Sequence, residues 1–367
     1  MNTTFDMKAR SQKTAKALRV LHFSPAERFS KKFLFHPALN IAEGGVHYFD
    51  IGKSGYAHDR TRLFGVLREY LRAARLLVSG ISTLNRSTIA YCHTTRFALP
   101  SLLLCRLLLV RQVIYFNHGV PYIGHQGLKR TLLRLVERLN VAVAHRFVTV
   151  SPSMVTYLQQ RAGADARAHA TWPGSSSGLR ESDYLTREQL WRRLNADRSR
   201  QAVRFLYAGR LEARKGLFVL LEAWRTHSAT FPEDELWLCG FTAEKLAAHG
   251  RWLELPGLRV LGYVDGMKEI YDAIDVVVSP SFHEGFGYTL LEGAARGCCI
   301  ISSAVPGPDV MFSTWMRDHL FKAGDSADLK RVMAHLRCGA STIQRGRLLS
   351  YRSALRFSTK KLQYPDV

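Results

Sequence analysis

The sequence predicts an α/β protein made of two doubly wound parallel-sheet domains. Short apolar, β-branched runs alternate with helix-forming segments along the 367 residues, an order typical of parallel sheets with helices on both faces. A Pro/Gly/Ser-rich stretch at 170–178 separates two such series. A chain of this length can bury two cores, and its hydrophobic fraction of 47% is that of a folded protein.

The domain boundary is predicted near residue 175. The expected organisation is a mobile basic tail at 1–18, a first domain at 19–175, a second domain at 176–340 and a C-terminal helix at 341–367 that could return to the first domain. Strand-like runs in the first domain begin at Leu18, Ser87, Gln112 and Arg146. Those in the second begin at Val203, Glu235, Leu258, Val276 and Cys298.

The net charge of +22 is uneven along the chain, with +18 in residues 1–180 and +4 in the remainder. Leu alternates with Arg or Lys at helical spacing in 63–77, 102–110 and 128–139. Such helices either lie on an anionic bilayer or pack their leucines on the domain's own sheet while the Arg stems snorkel. A nucleic-acid-binding protein would also be basic, but stacking aromatics are not interleaved with these cations.

The six cysteines show no C-x-x-C pair and no Cys/His cluster at zinc spacing, so neither a disulfide framework nor a metal site is indicated. The basic N-terminus lacks the apolar core of a signal peptide, and no run approaches the roughly 18 apolar residues of a spanning helix. We therefore expect a soluble or peripheral protein in a reduced, cytoplasmic compartment.

The stretch DVVVSPSFHEGFGYTLLEGAARG at 275–297 reads as a strand, a glycine-rich turn and a helix. Glu284 falls in the turn with Gly285, Phe286 and Gly287, and Glu292 falls about two turns into the helix. This layout presents backbone N–H groups to a phosphate at a helix N-terminus. The stretch is therefore a candidate phosphate-binding site with two carboxylates.

Two further turns carry candidate residues. In GRLEARKG at 209–216, Arg210 directly follows a strand and Lys215 precedes a helix, so both cations could neutralise a diphosphate or form a solvated basic loop. His118 follows the strand at 112–117, where open α/β sheets place functional groups, although a loop histidine that bonds backbone is the alternative. The pair Gly44-Gly45 is either a loop for close approach to phosphate or an ordinary turn.

Taken together, AGRLEARKG, HEGFGYTLLEGAARG and the Asn117-His118-Gly119 turn resemble the retaining nucleotide-sugar glycosyltransferases of family 4, of the bacterial surface-polysaccharide or lipopolysaccharide type. The Glu284-x7-Glu292 spacing matches the signature of that family, and G-R-x4-K-G matches its usual companion. The resemblance implies the GT-B fold, in which two Rossmann-like domains face a cleft. It departs from the family pattern at Trp172, where many members have an Asn-Gly-Val-Asp run.

The resemblance also implies residue roles. His118 and Glu284 would act at the donor sugar, and Glu292 would bind the ribose hydroxyls. The remaining substrate-binding residues would be Arg210, Lys215, Gly285, Phe286, Gly287, Gly44 and Gly45 at the diphosphate, and Val264 at the base.

The implied activity is transfer of a sugar from a nucleoside-diphosphate sugar to a lipid-linked or lipopolysaccharide acceptor at the cytoplasmic face of the membrane. No metal and no cofactor is expected, because protein cations would hold the diphosphate, and no nucleic-acid partner is expected. A GT-B isomerase or phosphorylase acting on nucleotide sugars remains an alternative. A glycosidase is disfavoured, since its paired carboxylates need no cations for a phosphate.

Overall fold

The computed structural model describes residues 19–24, 46–50, 60–79, 88–162, 169–171, 179–196, 202–337 and 339–358. Several features predicted from the sequence lie outside these residues, namely the tail at 1–18, the Gly44-Gly45 pair, the linker at 172–178 and the chain end at 359–367. The chain divides into two compact units, one of Met1–Ser177 with Tyr364–Val367 and one of Gly178–Gln363. Each contains a parallel sheet, which confirms the predicted α/β class.

The first unit contains a sheet whose described strands all run parallel. The strands are β1 (Arg19–Ser24), β2 (Val46–Asp50), β3 (Thr88–His93), β4 (Gln112–Asn117), β5 (Arg146–Thr149) and β6 (His169–Thr171). Their order is β2-β1-β3-β4-β5-β6. The direction of winding reverses between β1 and β3, so this sheet has its topological switch point there.

Amphipathic helices connect these strands. They are α1 (Arg60–Ser79), α2 (Thr95–Leu107), α3 (Gly127–Val143) and α4 (Pro152–Ala162). The last begins as the sequence predicts, because the backbone N–H of Met154 donates to Ser151 Oγ at 3.4 Å and Pro152 occupies the first helical position.

The second unit contains a sheet of the same parallel kind. Its strands are β7 (Arg204–Ala208), β8 (Glu235–Cys239), β9 (Leu258–Gly262), β10 (Val276–Ser279), β11 (Cys299–Ser303) and β12 (Leu320–Phe321). Their order is β12-β11-β10-β7-β8-β9. Chain order reverses between β7 and β10, so ligands are expected at the carboxyl ends of these two strands.

Helices precede, connect and follow the strands of the second unit. They are α5 (Arg187–Asn195), α6 (Leu217–Ser228), α7 (Ala243–Ala247), α8 (Met267–Ala273), α9 (Tyr288–Ala295), α10 (Ser326–Arg337) and α11 (Ala340–Ala354). α9 lies very close to β10, because a Cβ on Gly293 would come within 2.5 Å of Val277 Cγ2. Gly293 thus allows α9 to pack close to β10, and this sets the distance of the neighbouring residue Glu292 from the sheet.

In the part of the chain that is described, no helix combines the length and the apolar character needed to cross a bilayer.

Candidate functional site

The switch point of the second sheet brings two loops into direct contact. One follows β7 and runs to Gly216, and the other follows β10 and begins at Pro280. The backbone N–H of Phe282 donates to the carbonyl of Arg214 at 2.9 Å. Gly216 adopts φ +68°, and a Cβ there would lie 1.9 Å from the carbonyl oxygen of Pro280. Only glycine fits this position, for both its backbone conformation and its contact.

A partly buried ion pair joins the same two loops. Lys215 Nζ donates to Glu284 Oε2 at 2.5 Å, and the two side chains are 18% and 17% exposed. Ser281 Oγ donates to Glu284 Oε2 at 3.3 Å, and the Gly285 N–H donates to Oε1 at 3.2 Å. Burial raises the pKa of Glu284, but the charge and hydrogen bond of Lys215 and the Gly285 N–H outweigh it and leave the pKa below its ordinary value. Glu284 is therefore ionised at neutral pH.

Arg210 lies at the start of the same loop and is far more exposed, at 61% of its side chain. Its Nη1 lies 2.8 Å from Glu212 Oε1, and the other oxygen of Glu212 accepts from Arg214 Nε at 2.8 Å. Glu212, which the sequence patterns did not single out, thus holds two guanidinium groups beside Lys215. An exposed ion pair of this kind is weak, so Arg210 is able to turn towards an incoming anion.

The turn before α9 offers backbone donors. Gly287 has φ +90° and precedes the helix, while the Phe286 ring is buried edge-on against Phe357 at 5.0 Å. Gly307 supports the turn from behind, since a Cβ there would lie 2.4 Å from the carbonyl oxygen of Gly285. Within the described residues, the N–H groups of Phe286 and Gly287 donate to no protein acceptor. The turn and the helix dipole together suit an anion.

Glu292 is oriented by a tyrosine that the sequence analysis missed. The Tyr271 hydroxyl, on α8, donates to Glu292 Oε2 at 2.9 Å. Burial, followed by the charge of Glu292, raises the pKa of Tyr271 well above its ordinary value. The hydroxyl therefore remains a donor, and no periodicity or motif in the sequence pairs these two positions.

The loops after β8 and β9 continue the same edge of the sheet. Gly240 lies against the first loop, because a Cβ on it would be 2.4 Å from the carbonyl oxygen of Gly209. Its N–H donates to the carbonyl of Gly262 at 2.8 Å, and Val264 follows, half-buried. We name the ends of β7 to β11 and their loops the switch-point edge. It contains the predicted residues Arg210, Lys215, Val264, Glu284, Gly285, Phe286 and Gly287.

In the first unit, the turn after β4 that carries His118 is held by a buried polar network. The Gly119 N–H donates to Asn117 Oδ1 at 2.8 Å, and Asn117 Nδ2 donates to Glu137 Oε1. The Tyr115 hydroxyl is 3.0 Å from both oxygens of Glu137. Burial raises the pKa of Glu137 to about 7, although hydrogen bonds from Thr95, Tyr115 and Asn117 oppose the shift.

His118 also belongs to a row of imidazoles at the carboxyl ends of neighbouring strands. His93 Nδ1 lies 2.9 Å from His118 Nε2, and His93 Nε2 lies 3.1 Å from His22 Nδ1. Burial lowers the pKa of His118 to about 4 and that of His22 to about 3. His118 is therefore neutral at physiological pH. The position directly after the predicted strand at 112–117 indicated this residue, whereas nothing in the spacing indicated His22 and His93.

No group of three or more His, Cys, Asp or Glu side chains among the described residues is arranged to hold a metal ion. The switch-point edge instead offers cations, an ionised carboxylate and backbone donors. Such a set can bind a polyanion that also carries hydroxyl groups.

The two sheets define the class of fold. Two doubly wound parallel sheets, the second with a basic, glycine-rich switch-point edge, are consistent with the GT-B fold.

Comparison with known sequences agrees with this class. Residues 202–337 match the family described as "Glycosyl transferases group 1", and these residues contain the whole switch-point edge. The chain is also similar to the lipopolysaccharide core biosynthesis glycosyltransferase LpsE of Rhizobium meliloti, with 29% identity over 131 residues. That match covers 35% of this chain and 37% of the length of LpsE.

Solved structures extend the likeness to nearly the whole chain. The Anabaena protein HepE, solved in complex with UDP and glucose, superposes with a TM-score of 0.66 at 15% identity, and the match covers 94% of this chain and 96% of HepE. Sucrose-phosphate synthase from Thermosynechococcus elongatus gives a TM-score of 0.69 at 17% identity with the same coverage. At these identities the likeness establishes the fold.

Proposed function

We propose that this protein is a retaining glycosyltransferase that moves a sugar from a nucleoside-diphosphate sugar to a glycan or lipid-linked acceptor. The observation that carries the proposal is the Lys215–Glu284 pair at the switch point of the second sheet, within the region that matches the group 1 glycosyl transferases. The relatives whose names specify a nucleotide or a lipopolysaccharide product support the same class.

The cations of the edge would bind the leaving diphosphate. Lys215 has three N–H donors, so it can keep Glu284 and still donate to a phosphate oxygen. Arg210 can leave its exposed partner Glu212 and add a two-pronged contact. Breaking the bond from sugar to phosphate increases the negative charge on the diphosphate, so these contacts strengthen in the transition state and lower the barrier. The N–H groups of Phe286 and Gly287 would add to this stabilisation.

The carboxylates would serve the uncharged parts of the donor. Glu292, oriented by Tyr271, is assigned to the ribose hydroxyls. Glu284 is ionised, so it can accept hydrogen bonds from sugar hydroxyls or stabilise positive charge on the sugar ring, but it cannot act as a general acid at neutral pH. His118 is assigned to the donor sugar and Val264 to the base. The ionised state of Glu284 also argues against a glycosidase, because the carboxyl group that acts as the general acid of a glycosidase needs a raised pKa.

In the proposed reaction the bond from the anomeric carbon to the phosphate oxygen breaks, and the acceptor oxygen bonds to the same face of that carbon. The acceptor proton passes to the leaving phosphate oxygen. The configuration is retained because the new bond forms on the face from which the phosphate leaves. We propose that Lys215, Arg210 and the helix N-terminus supply the charge neutralisation that a metal would otherwise give.

The reaction is tested by offering nucleotide sugars with a bacterial glycolipid extract and measuring release of nucleoside diphosphate. Lys215→Met should lower the rate at least tenfold, because one charge-assisted hydrogen bond is worth about 1.5–3 kcal/mol. Product analysis by NMR should show the anomeric configuration of the donor. Release of nucleoside monophosphate, an isomerised nucleotide sugar as product, or an inverted linkage would each overturn the proposal.

An exposed apolar ridge on the first unit suggests where the acceptor is presented. On α3, a leucine stripe at Leu128, Leu132, Leu135 and Leu139 is 41–75% exposed. The opposite side of the helix, which includes Leu133 and Val141, is buried. These four leucines therefore do not pack on the domain's own sheet, which was one of the two interpretations of this pattern.

Cations flank the ridge. Arg130, Arg134 and Arg138 follow one another at four-residue spacing and are exposed. The neighbouring helix α2 packs against α3 and ends at Leu107, which is 79% exposed; Leu109, just beyond the helix, is 78% exposed. Leucine at the acyl boundary with arginine at the headgroups is the pattern of an interfacial helix. We propose that this surface rests on the cytoplasmic face of an anionic membrane, where a lipid-linked acceptor would lie.

Sedimentation with vesicles of phosphatidylglycerol and phosphatidylcholine, compared with phosphatidylcholine alone, tests the surface. The wild-type chain should bind the anionic vesicles more strongly at moderate salt, and the triple change of Arg130, Arg134 and Arg138 to Glu should abolish the difference. The matched control changes three exposed arginines of the second unit to Glu, namely Arg180, Arg317 and Arg345. Equal loss of binding in both triple variants would show nonspecific charge attraction and contradict the assignment.

A further inference from the structure

The buried imidazole row in the first unit has a property that single histidines lack. His22 is on β1, His93 ends β3 and His118 follows β4, and these three strands are neighbours in the sheet. The ring planes of His22 and His93 are 19° from parallel with their centroids 5.4 Å apart, and those of His93 and His118 are 28° from parallel at 5.2 Å, so the rings meet edge to edge through their nitrogens. His22 and His93 are almost fully buried, at 0% and 1% exposure. The row is thus fixed by packing on one face of the sheet.

Each contact between two ring nitrogens requires one N–H and one lone pair. His93 uses both of its nitrogens, Nδ1 towards His118 and Nε2 towards His22. A neutral His93 carries one proton, so it donates to one neighbour and accepts from the other. The tautomers of all three rings are therefore coupled, with every proton on Nε2 or every proton on Nδ1.

The rings remain neutral because burial disfavours their charged forms. The pKa of His93 is well below its ordinary value, through burial first and then through the charges of His118 and His22. Of the two neutral arrangements, the one with every proton on Nε2 is favoured, because that is the intrinsically preferred tautomer of histidine. In that arrangement His118 donates from Nε2 to His93, and His93 donates from Nε2 to His22.

We propose that His93, supported by His22, is a positioning residue that fixes the ring proton of His118 on Nε2 and makes His118 Nδ1 a hydrogen-bond acceptor. Because His93 accepts the proton of His118 Nε2, His118 Nδ1 presents a lone pair to any group that contacts it. If His118 serves the donor sugar, a consequence that rests on the proposed function, it receives a hydroxyl proton rather than giving one.

The test is the two-bond ¹H–¹⁵N spectrum of the full chain labelled with ¹⁵N-histidine, with His118 assigned by its loss in His118→Gln. The wild-type spectrum should show a pyridine-type Nδ1 and a pyrrole-type Nε2 for His118. A pyrrole-type Nδ1, averaged signals or a charged ring would overturn the proposal. This readout uses no substrate, so it stands or fails separately from the glycosyltransferase assignment.

Variants at position 93 separate positioning from packing. In His93→Asn the side-chain amide occupies the place of Nδ1, so its oxygen can still accept the hydrogen bond from His118 Nε2. In His93→Gln the amide occupies the place of Nε2 and cannot reach His118. The Asn variant should keep the wild-type His118 signals, and the Gln variant should shift them towards the averaged values of two tautomers. Tyr91→Phe is the control, because Tyr91 stacks on His22 at 5.1 Å outside the hydrogen-bonded row. Equal spectra for the Asn and Gln variants, or an equal shift in the control, would overturn the proposal.

A binding measurement then tests the consequence for the ligand. His93→Gln should raise the Kd of a nucleotide sugar by about 3- to 10-fold, the value of one hydrogen bond, and should leave the Kd of the matching nucleoside diphosphate within about twofold. If the spectra show the expected His118 tautomer but no nucleotide sugar binds to any form of the protein, the proposed function is wrong and the role of the imidazole row still holds.

Discussion

The buried carboxyl of Glu137 makes the stability of the first unit depend on pH. Its pKa is raised to about 7 from 4.5, chiefly by burial, so the folded chain holds the proton more tightly than the unfolded chain. This stabilisation is complete below pH 4.5 and is lost as the pH rises through about 7. A shift of this size corresponds to about 3 kcal/mol, at 1.36 kcal/mol per unit.

Glu137→Gln removes the titration and keeps the shape. In the structure the Tyr115 hydroxyl donates to Glu137 Oε2. In the variant the amide oxygen can accept from Asn117 Nδ2, and the amide nitrogen can donate to the Tyr115 hydroxyl, whose own proton can turn to Thr95 Oγ1 at 3.2 Å. We expect the variant to match the wild-type protein near pH 5 and to become more stable than it by about 2–3 kcal/mol at pH 8.5, where the wild type must bury a charge.

Hydrogen exchange of peptides from β4, compared between variant and wild type at each pH, measures this difference. Glu188→Gln is the control, because Glu188 forms an exposed pair with Arg192 and such pairs are worth a few tenths of a kcal/mol. A stability difference between Glu137→Gln and wild type that does not change from pH 5 to pH 8.5 would refute the reasoning.

Two further predictions concern the second unit. Gly216→Ala should destabilise it by about 2 kcal/mol or more, because the methyl group meets a backbone carbonyl in addition to the positive φ; fluorescence of buried Trp224 follows the unfolding. Gly262→Ala is the control, because Gly262 has φ +73° but open space around it. It should lower the free energy of unfolding by only about 1 kcal/mol, the cost of the backbone conformation. Equal losses of stability in the two variants would show that the clash with the Pro280 carbonyl has no effect. Tyr271→Phe should weaken nucleotide binding by about 2- to 10-fold in calorimetry, since Glu292 loses its orienting hydrogen bond; an unchanged Kd would contradict that role.

Most of the second domain could be predicted from the sequence because its strands are short, apolar and bounded by turn residues. The strand at 235–239 begins at the predicted residue, and the helix Tyr288–Ala295 follows the glycine-rich turn as predicted. The edge strands β2, β6 and β12 were missed. β6 and β12 have three and two residues, too few to show a periodicity, and β2 directly follows the Gly44-Gly45 pair in the sequence, which indicated a loop. Strand order also could not be predicted, because it depends on which crossovers bring non-sequential strands together.

The charged residues of the site could be found because they sit in motifs directly after strands. Their partners could not, since those partners come from distant parts of the chain. Glu284 is paired with Lys215 across 69 residues, and Glu292 with Tyr271 across 21. The row from His22 to His118 is likewise a product of strand adjacency, which no local pattern encodes.

The proposed function requires that the switch-point edge of the second unit bind a nucleoside diphosphate. The most direct test is calorimetric titration of the wild-type protein with the 5′-diphosphates of uridine, adenosine, guanosine, cytidine and thymidine, then of Lys215→Met and the control Lys330→Met on α10. We expect at least one nucleotide to bind the wild-type and control proteins equally, and Lys215→Met to bind it at least tenfold more weakly. Absence of binding by all five nucleotides, or equal affinity in the two lysine variants, would contradict the account.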